Sequence, residues 1–370
     1  MVKKPKFLIG LAVLAVVGLV LVGLMSLPKP PPEAIPTPIP TEVPMKSLKV
    51  YGGLILLDPQ VIEYLRVSHK LDVSETMMGS FAQAEAPLEG VDCVWPGSET
   101  AADYYQSLHS ADAFKAKRIE TIFQTYLTIY TWAEYLPTLE KAGYVTTENG
   151  VHFLKVKPLM DAMAEGKTWA DLGVNIPGYV DIKSTDPLKS SSGMVWLELM
   201  ASYEQTGGEN GGQVATLDRL PPALPVINAY WEAQGNQSDA SPKLFSKFIG
   251  SGAGMPMIVN YESAYTEFVN SLPEDQKAQA EKIVGLYPEW TVNTEHILIS
   301  ITDACKELTD VLLTDQWIKE YAWAKFGMRN GQGGIEAKPG DVSIPWLATS
   351  VNAVSEPKKP IVDAIKEVLK

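Results

Sequence analysis

The chain has 370 residues, a formal net charge of −13 and two cysteines. A chain this acidic is a poor partner for nucleic acid or an anionic lipid surface, and two cysteines without a C-x-x-C cannot build a thiolate zinc cluster. The length exceeds one ordinary domain and leaves room for two real cores.

Lys3, Lys4 and Lys6 precede an uncharged apolar run from Phe7 to Leu27. As a helix rising ~1.5 Å per residue, that run reaches roughly 30 Å, the thickness of a bilayer's hydrocarbon core. Lysines on its N-terminal side favour a cytoplasmic N-terminus, which places everything after Leu27 outside. The competing reading is a cleaved secretory signal, whose apolar core is usually ~7–15 residues and ends at a small-x-small site. Here the exit reads Gly23-Leu24-Met25-Ser26-Leu27-Pro28, a poor cleavage site. The expectation is a retained single-pass anchor over residues 1–27, with the C-terminal domain extracytoplasmic on either reading. Residues 28–45 are rich in proline, which lacks an amide donor and fixes φ, so an extended polyproline stalk is predicted there.

Strands are predicted at Leu48–Tyr51, Val91–Trp95, Tyr126–Tyr130, Tyr179–Lys183, Met257–Tyr261 and Lys282–Tyr287. These runs are short, rich in β-branched and aromatic residues, and bounded by Gly, Pro or Ser. Helices lie between and after them. Ile301, Ala304, Cys305, Leu308, Val311 and Leu312 share one helical face. Trp317, Ile318, Tyr321 and Ala322 share another, and Ile361, Ala364, Ile365, Val368 and Leu369 define a C-terminal helix that should dock. The alternation argues for an α/β chain with parallel sheets covered on both faces. Cys93 sits in the apolar VDCVW and Cys305 on an apolar helix face, which reads as two separately buried thiols, although an exported location permits a disulfide.

In open α/β sheets ligands sit beyond the carboxyl ends of strands, where helix N-termini offer free amide donors and a positive dipole end. Three strand-to-helix turns are rich in Gly, Ser and Thr. Gly52-Gly53 follows the first strand, and Pro96-Gly97-Ser98-Glu99-Thr100 follows VDCVW. The fullest is Ser184-Thr185-Asp186-Pro187-Leu188-Lys189-Ser190-Ser191-Ser192-Gly193, which opens the apolar helix GMVWLELMASY. Ser, Thr and Asp are also the favoured N-caps, so one such turn alone is ordinary; it is their clustering that points to a ligand. The candidates from these turns are Gly53, Ser98, Thr100, Ser184, Thr185, Asp186, Ser190 and Ser192. Hydroxyl and amide donors with Lys189 suit an anionic or polar solute. Glu99, Asp186 and Glu262, with Trp95, Trp132, Tyr261 and Trp290, are the residues that would instead suit an amine.

Enzyme signatures are weak. There is no G-x-S-x-G, no H-E-x-x-H and no phosphate loop of the GxxxxGK[ST] type, and Gly250 to Gly254 precedes a strand rather than following one. His69, His109, His152 and His296 are scattered; His296 is the one placed to touch a cleft, with a structural hydrogen bond as the plainer role. No catalytic residue, metal or cofactor is expected.

The segment Ser184 to Gly193 with its apolar helix resembles a loop of extracytoplasmic solute-binding proteins, the two-lobed substrate-binding components of ABC transporters. Other segments resemble theirs in the same order: LKVYGGLILLDPQVIEYL, GVDCVWPGSETAADYY, GMPMIVNYESAYTEFV with a Tyr-Glu turn, and LYPEWTVNTEHILISI followed by two helices ending AWAKFGMRNG. The resemblance spans roughly residues 48 to 331. It implies a two-lobed periplasmic-binding-protein-like (type 2) fold with two hinge crossings. Lobe one would hold residues 46–124 and 295–370, and lobe two residues 130–288, with the hinge at 122–130 and 290–300. It adds Tyr261 and Glu262 to the candidate site. The implied function is closure on a small polar or anionic solute for transport or sensing, with a membrane transporter permease as partner. A spanning helix with a proline stalk departs from the usual soluble or lipidated members. The alternatives are an ectodomain that binds a protein partner and an extracytoplasmic hydrolase.

Overall fold

The computed structural model describes residues 44–52, 56–208, 216–331, 344–345, 347–348 and 351–369. The anchor expected over residues 1–27, residues 28–43 of the stalk expected over 28–45, and Gly53 lie outside them. Among the described residues no helix is long and apolar enough to cross a membrane.

Eleven strands are described: β1 Lys46–Gly52, β2 Leu71–Met77, β3 Cys93–Trp95, β4 Arg118–Trp132, β5 Val145–Glu148, β6 Val151–Leu154, β7 Met257–Tyr261, β8 Ile283–Pro288, β9 Thr291–Ser300, β10 Arg329–Asn330 and β11 Ala353–Val354. The α-helices are α1 Pro59–His69, α2 Ser80–Glu85, α3 Glu99–Leu108, α4 Leu136–Lys141, α5 Val156–Ala164, α6 Ser191–Thr206, α7 Leu224–Ala233, α8 Ser241–Ser251, α9 Glu262–Ser271, α10 Asp303–Thr314, α11 Gln316–Phe326 and α12 Lys359–Val368.

β1 is flanked by parallel β2 and β3; β3 then pairs antiparallel with β9, β9 with the first part of β4, and β4 with β10. Successive side chains on a strand point to opposite faces, and the residues here use both. Val50, Cys93, Trp95 and Leu298 pack under α1, α10 and α11, whereas Tyr51, Val94, Ile297 and Ile299 pack with Ala84, Ala102 and Tyr105. The sheet is therefore covered on both faces but mixed in direction, not all parallel. The strand that runs against β1 and β3 is the long β9, which arrives from the other half of the molecule, whereas β4 runs with them and leaves for that half.

β4 is the physical link between halves. Arg118 to Tyr126 pair with β9, and then Leu127 to Trp132 pair with β7 and β8. β8 pairs parallel with β6, which forms a hairpin with β5. Leu127, Ile129 and Tyr130 enter a second, larger core with Trp169, Trp196, Ile227, Phe248 and Val259. The return path is equally short, from β8 ending at Pro288 to β9 starting at Thr291. Tyr203 of α6 clamps that return: its hydroxyl donates to Trp290 O and accepts from Trp290 N, both at 3.0 Å.

A third connection comes from the C-terminal segment. β11 pairs parallel with the start of β9. Ile361, Val362, Ile365 and Leu369, with Leu347, Ala348 and Val354, join the core of the second half rather than that of the first. α12 contacts α3 of the first half as well as α6 and α7 of the second. The amphipathic pattern made α12 legible as a helix; which core received its apolar face was a matter of tertiary packing.

Tyr179–Lys183 is not a strand of either sheet. It makes only isolated bridges, Tyr179 to Thr168 and Lys183 to Ile258. Cys93 and Cys305 form a disulfide with their Cα atoms 5.6 Å apart, which replaces the expectation of two separate thiols. The pairing follows from β3 facing α10 across the first core, a juxtaposition that sequence spacing does not carry.

Candidate functional site

Helix starts divide into two kinds. At some, a side chain closes the free amides. Asp58 Oδ1 accepts from Gln60 N and Val61 N at 2.9 Å, Ser98 Oγ from Ala101 N at 3.1 Å, and Asp315 Oδ1 from Ile318 N at 3.0 Å. At α6 and α8 no side chain caps the helix. Unfilled amides with the positive end of a helix dipole attract an acceptor from outside. Both of these starts open onto one cavity of about 1130 Å³.

That cavity lies between the two halves. Met77, Met78, Gly79, Ser80, Gly97 and His296 line it from the first, and Lys189–Ser191, Asp239–Lys243, Asn260, Tyr261 and Phe268 are among those lining it from the second. The halves meet at its edge, where a Cβ on Gly79 would lie 3.4 Å from Lys189 O.

The loop 184–190 is rigidly built. Ser184 N donates to Gln234 Oε1 at 3.0 Å, and Asp186 N to Ser238 O at 2.8 Å. The Asp186 carboxylate accepts from Leu188 N at 2.9 Å and pairs with Lys189 Nζ at 2.8 Å. Ser192 Oγ is the hub of a hydroxyl cluster, 2.7 Å from Thr185 Oγ1, 3.1 Å from Ser190 Oγ and 2.7 Å from Ser241 Oγ. Helix α6 can approach this loop closely because residue 193 is glycine. A Cβ there would sit 2.3 Å from Thr185 O.

The sequence candidates therefore take different positions. Ser190 and Tyr261 line the cavity. Ser184, Thr185, Asp186 and Ser192 are buried behind it and position its wall. Glu262 is fully buried and faces Arg329 and the Tyr287 hydroxyl. Ser98 and Thr100 are covered from within the chain: Thr100 N donates to Glu356 Oε2 at 3.2 Å, and Thr100 Oγ1 to Pro357 O at 2.8 Å. An acceptor does sit at the start of α3, but it is a carboxyl oxygen of the protein's own Glu356. Trp95 and Trp132 pack in the cores against Phe123 and Phe248, and Trp290 leans on the second core, so of the four aromatics considered Tyr261 is the one on the cavity wall.

His296 stands out among the lining residues. It is 6% exposed, and neither ring nitrogen has a hydrogen-bond partner. Burial pushes its pKa down to about 4, so the ring is neutral at pH 7, with one nitrogen a donor and the other an acceptor. Gly97 leaves room for it; a Cβ there would be 3.3 Å from Nδ1.

Sequence reasoning missed the start of α8, although Ser241-Pro242 is a helix-opening signal. It also missed the apolar wall formed by Met77, Met78, Phe245, Ile249, Phe268 and Met328. Those residues read as ordinary core in sequence, because only the gap between two halves leaves them facing space. Among the described residues no group of three or more His, Cys, Asp or Glu side chains is arranged to hold a metal ion.

No family model matches the sequence, and no curated protein matches it. Solved structures do. The chain is similar to the periplasmic binding protein AfuA from Actinobacillus pleuropneumoniae with fructose-6-phosphate bound, at 12% identity and a TM-score of 0.56, covering 88% of this chain and 97% of that one. It is similar to a ferric binding protein from Campylobacter jejuni, at 12% identity and a TM-score of 0.55, covering 87% and 97%. It is also similar to the sulfate-binding protein SubI from Mycobacterium tuberculosis, at 14% identity and a TM-score of 0.51, covering 85% and 94%. At such identities the likeness speaks for architecture. The two sheet-based halves, the crossings at β4 and β8–β9 and the cavity between them are accordingly the mixed α/β fold of the type 2 periplasmic binding proteins.

Proposed function

We propose that this chain is an extracytoplasmic solute-binding protein that closes on a small molecule and presents it to a membrane transporter or sensor. The observation that carries the reading is the cavity itself: two uncapped helix starts from one half face a neutral, unpartnered histidine from the other. Closure about β4 and the β8–β9 return is a hinge motion of known type, and it would bring those two sets of groups onto one guest. The two lobes would divide near residues 124–130 and 288–295, with the C-terminal segment attached to both.

The similar structures named as ferric-binding, sulfate-binding and fructose-6-phosphate-bound support a binding role rather than catalysis. The disulfide supports an oxidising, extracytoplasmic location. The apolar run Phe7–Leu27 and the proline-rich segment after it would tether the domain to the membrane. Native mass spectrometry of the gently purified protein tests the reading. A stoichiometric small molecule that is released on denaturation is the expected result. Protein that carries none, and that no solute stabilises against heat, would exclude it, since a ligand at 100 times its dissociation constant adds about 2.7 kcal/mol.

A further inference from the structure

We infer that the solute is an organic anion with an apolar body. The inference rests on the solute-binding reading and concerns the same cavity. Its first support is size. In this conformation the cavity of about 1130 Å³ has room for a drug-sized ligand, for which pockets of roughly 300–1,000 Å³ are usual, before any hinge closure narrows it.

The second support is the pairing of anion-binding groups with apolar side chains on the walls. At one side stand the uncapped starts of α6 and α8, with Ser190, Ser191 and Ser241 hydroxyls and the Tyr261 hydroxyl 3.4 Å from Ser191 Oγ. Lys189 and Lys243 add positive charge at the rim, each held by an acidic neighbour, Asp186 and Asp239. That side suits a carboxylate or phosphate head. The apolar lining is Met77, Met78 and Met328 from the first half and Phe245, Ile249 and Phe268 from the second, with Phe245 and Ile249 on α8 beyond Ser241 and with Ser246, Asn260, Ser263 and Ser271 among them. Methionines and aromatic rings offer adaptable apolar contact to the body of such a ligand. Glu267 also lies on the lining, beside Phe268, and burial raises its pKa to about 7, so near neutrality it is partly uncharged.

The third support is His296. Its two unpartnered nitrogens, in a side chain nine-tenths buried, call for at least one polar atom on the guest in addition to the head. The ligand class is then an organic acid or organic phosphate whose largely apolar body carries one hydrogen-bonding group.

The test is calorimetric titration of the purified, ligand-stripped protein with four probes: acetate, phenylacetate, inorganic phosphate and phenyl phosphate. Phenyl-bearing probes are expected to bind up to roughly a hundredfold tighter than their bare head groups, the upper range for burying one ring. Phe268→Asn is expected to shrink that gap about tenfold, and His296→Phe to weaken a hydroxylated probe, 4-hydroxyphenylacetate, more than phenylacetate. The better head group distinguishes a carboxylate from a phosphate solute. Equal affinities with and without the ring, or no binding by any of the four, would overturn the inference. So would a sugar or an inorganic ion in the native mass spectrum, and that outcome would leave the solute-binding reading standing. Protein that neither carries nor binds any solute would remove both.

Discussion

Arg329 and Glu262 form a buried two-point ion pair, Nε to Oε2 at 2.7 Å and Nη2 to Oε1 at 2.7 Å. Arg329 sits on β10, beside β4 in the first sheet, and Glu262 opens α9 of the second half. The same guanidinium lies 4.7 Å from the centre of the Tyr126 ring, at the residue where β4 changes sheets, and donates to Ala348 O at 2.7 Å. One side chain thus ties the crossing strand, a helix of the second half and the C-terminal segment together. The Tyr287 hydroxyl donates to the same carboxylate.

Replacing Arg329 by Met should cost about 3–5 kcal/mol, because a carboxylate with no exposure would lose its counter-charge. Adding Glu262→Gln should restore part of that loss. Urea denaturation of the two variants provides the measurement, and a single-variant cost below about 1 kcal/mol would show that the pair does not hold the hinge together.

Reduction of Cys93–Cys305 should lower stability by about 2–5 kcal/mol, since the bond links residues 212 positions apart and limits the unfolded chain. Denaturation with and without reductant, and of the Cys93→Ala, Cys305→Ala double variant, measures it. Coincident curves would mean that the bond contributes nothing.

Gly193→Ala should be costly for its size. The new methyl would meet Thr185 O at 2.3 Å and Pro187 N at 2.9 Å, and both are backbone atoms that cannot rotate away. A loss of about 1–3 kcal/mol is expected, together with weakened solute binding as the 184–190 loop is displaced. Wild-type stability and affinity in this variant would show that the loop yields freely.

Glu198 and Glu356 set a pH dependence. Burial, and after it the charge of Glu356, raises Glu198 well above the ordinary 4.5, while burial raises Glu356 to about 8 against the opposing Thr100 amide bond. With its folded pKa raised, Glu356 holds more proton in the folded state than in the unfolded one between about 4.5 and 8, and Glu198 acts in the same direction. Their contribution is therefore most favourable below that window and is lost as pH rises through it. Glu356→Gln keeps an oxygen for Thr100 N and removes the titration, so it should stabilise the protein more at pH 8 than at pH 5. Parallel pH profiles for variant and wild type, followed by guanidinium denaturation, would refute this.

Much of the architecture was legible. The β1, β3, β7 and β8 regions announced themselves through β-branched runs ended by Gly, Pro or Ser, and α10, α11 and α12 through apolar residues three and four apart. β2 was not legible, because LDVSETM alternates apolar and polar residues only over its first half before meeting solvent. β4 was seen only in part: its first residues are half-buried and polar, while Tyr126–Tyr130 carries the apolar signal of a central strand. The turn 184–193 was found from composition, but hydroxyl content could not separate Ser190, which lines the cavity, from Ser192, which holds the wall behind it.

Sequence by itself determined the strongly patterned elements, the acidity, the hydroxyl-rich start of α6 and the order of segments that resembles a binding protein, because each follows from local chemistry along the chain. Only the tertiary structure decided that Cys93 meets Cys305, that Glu356 covers the start of α3, and that Met77, Phe268 and His296 face one cavity. Those are contacts between residues far apart in sequence, set by which faces two separate cores leave uncovered when β4 and β9 draw them together.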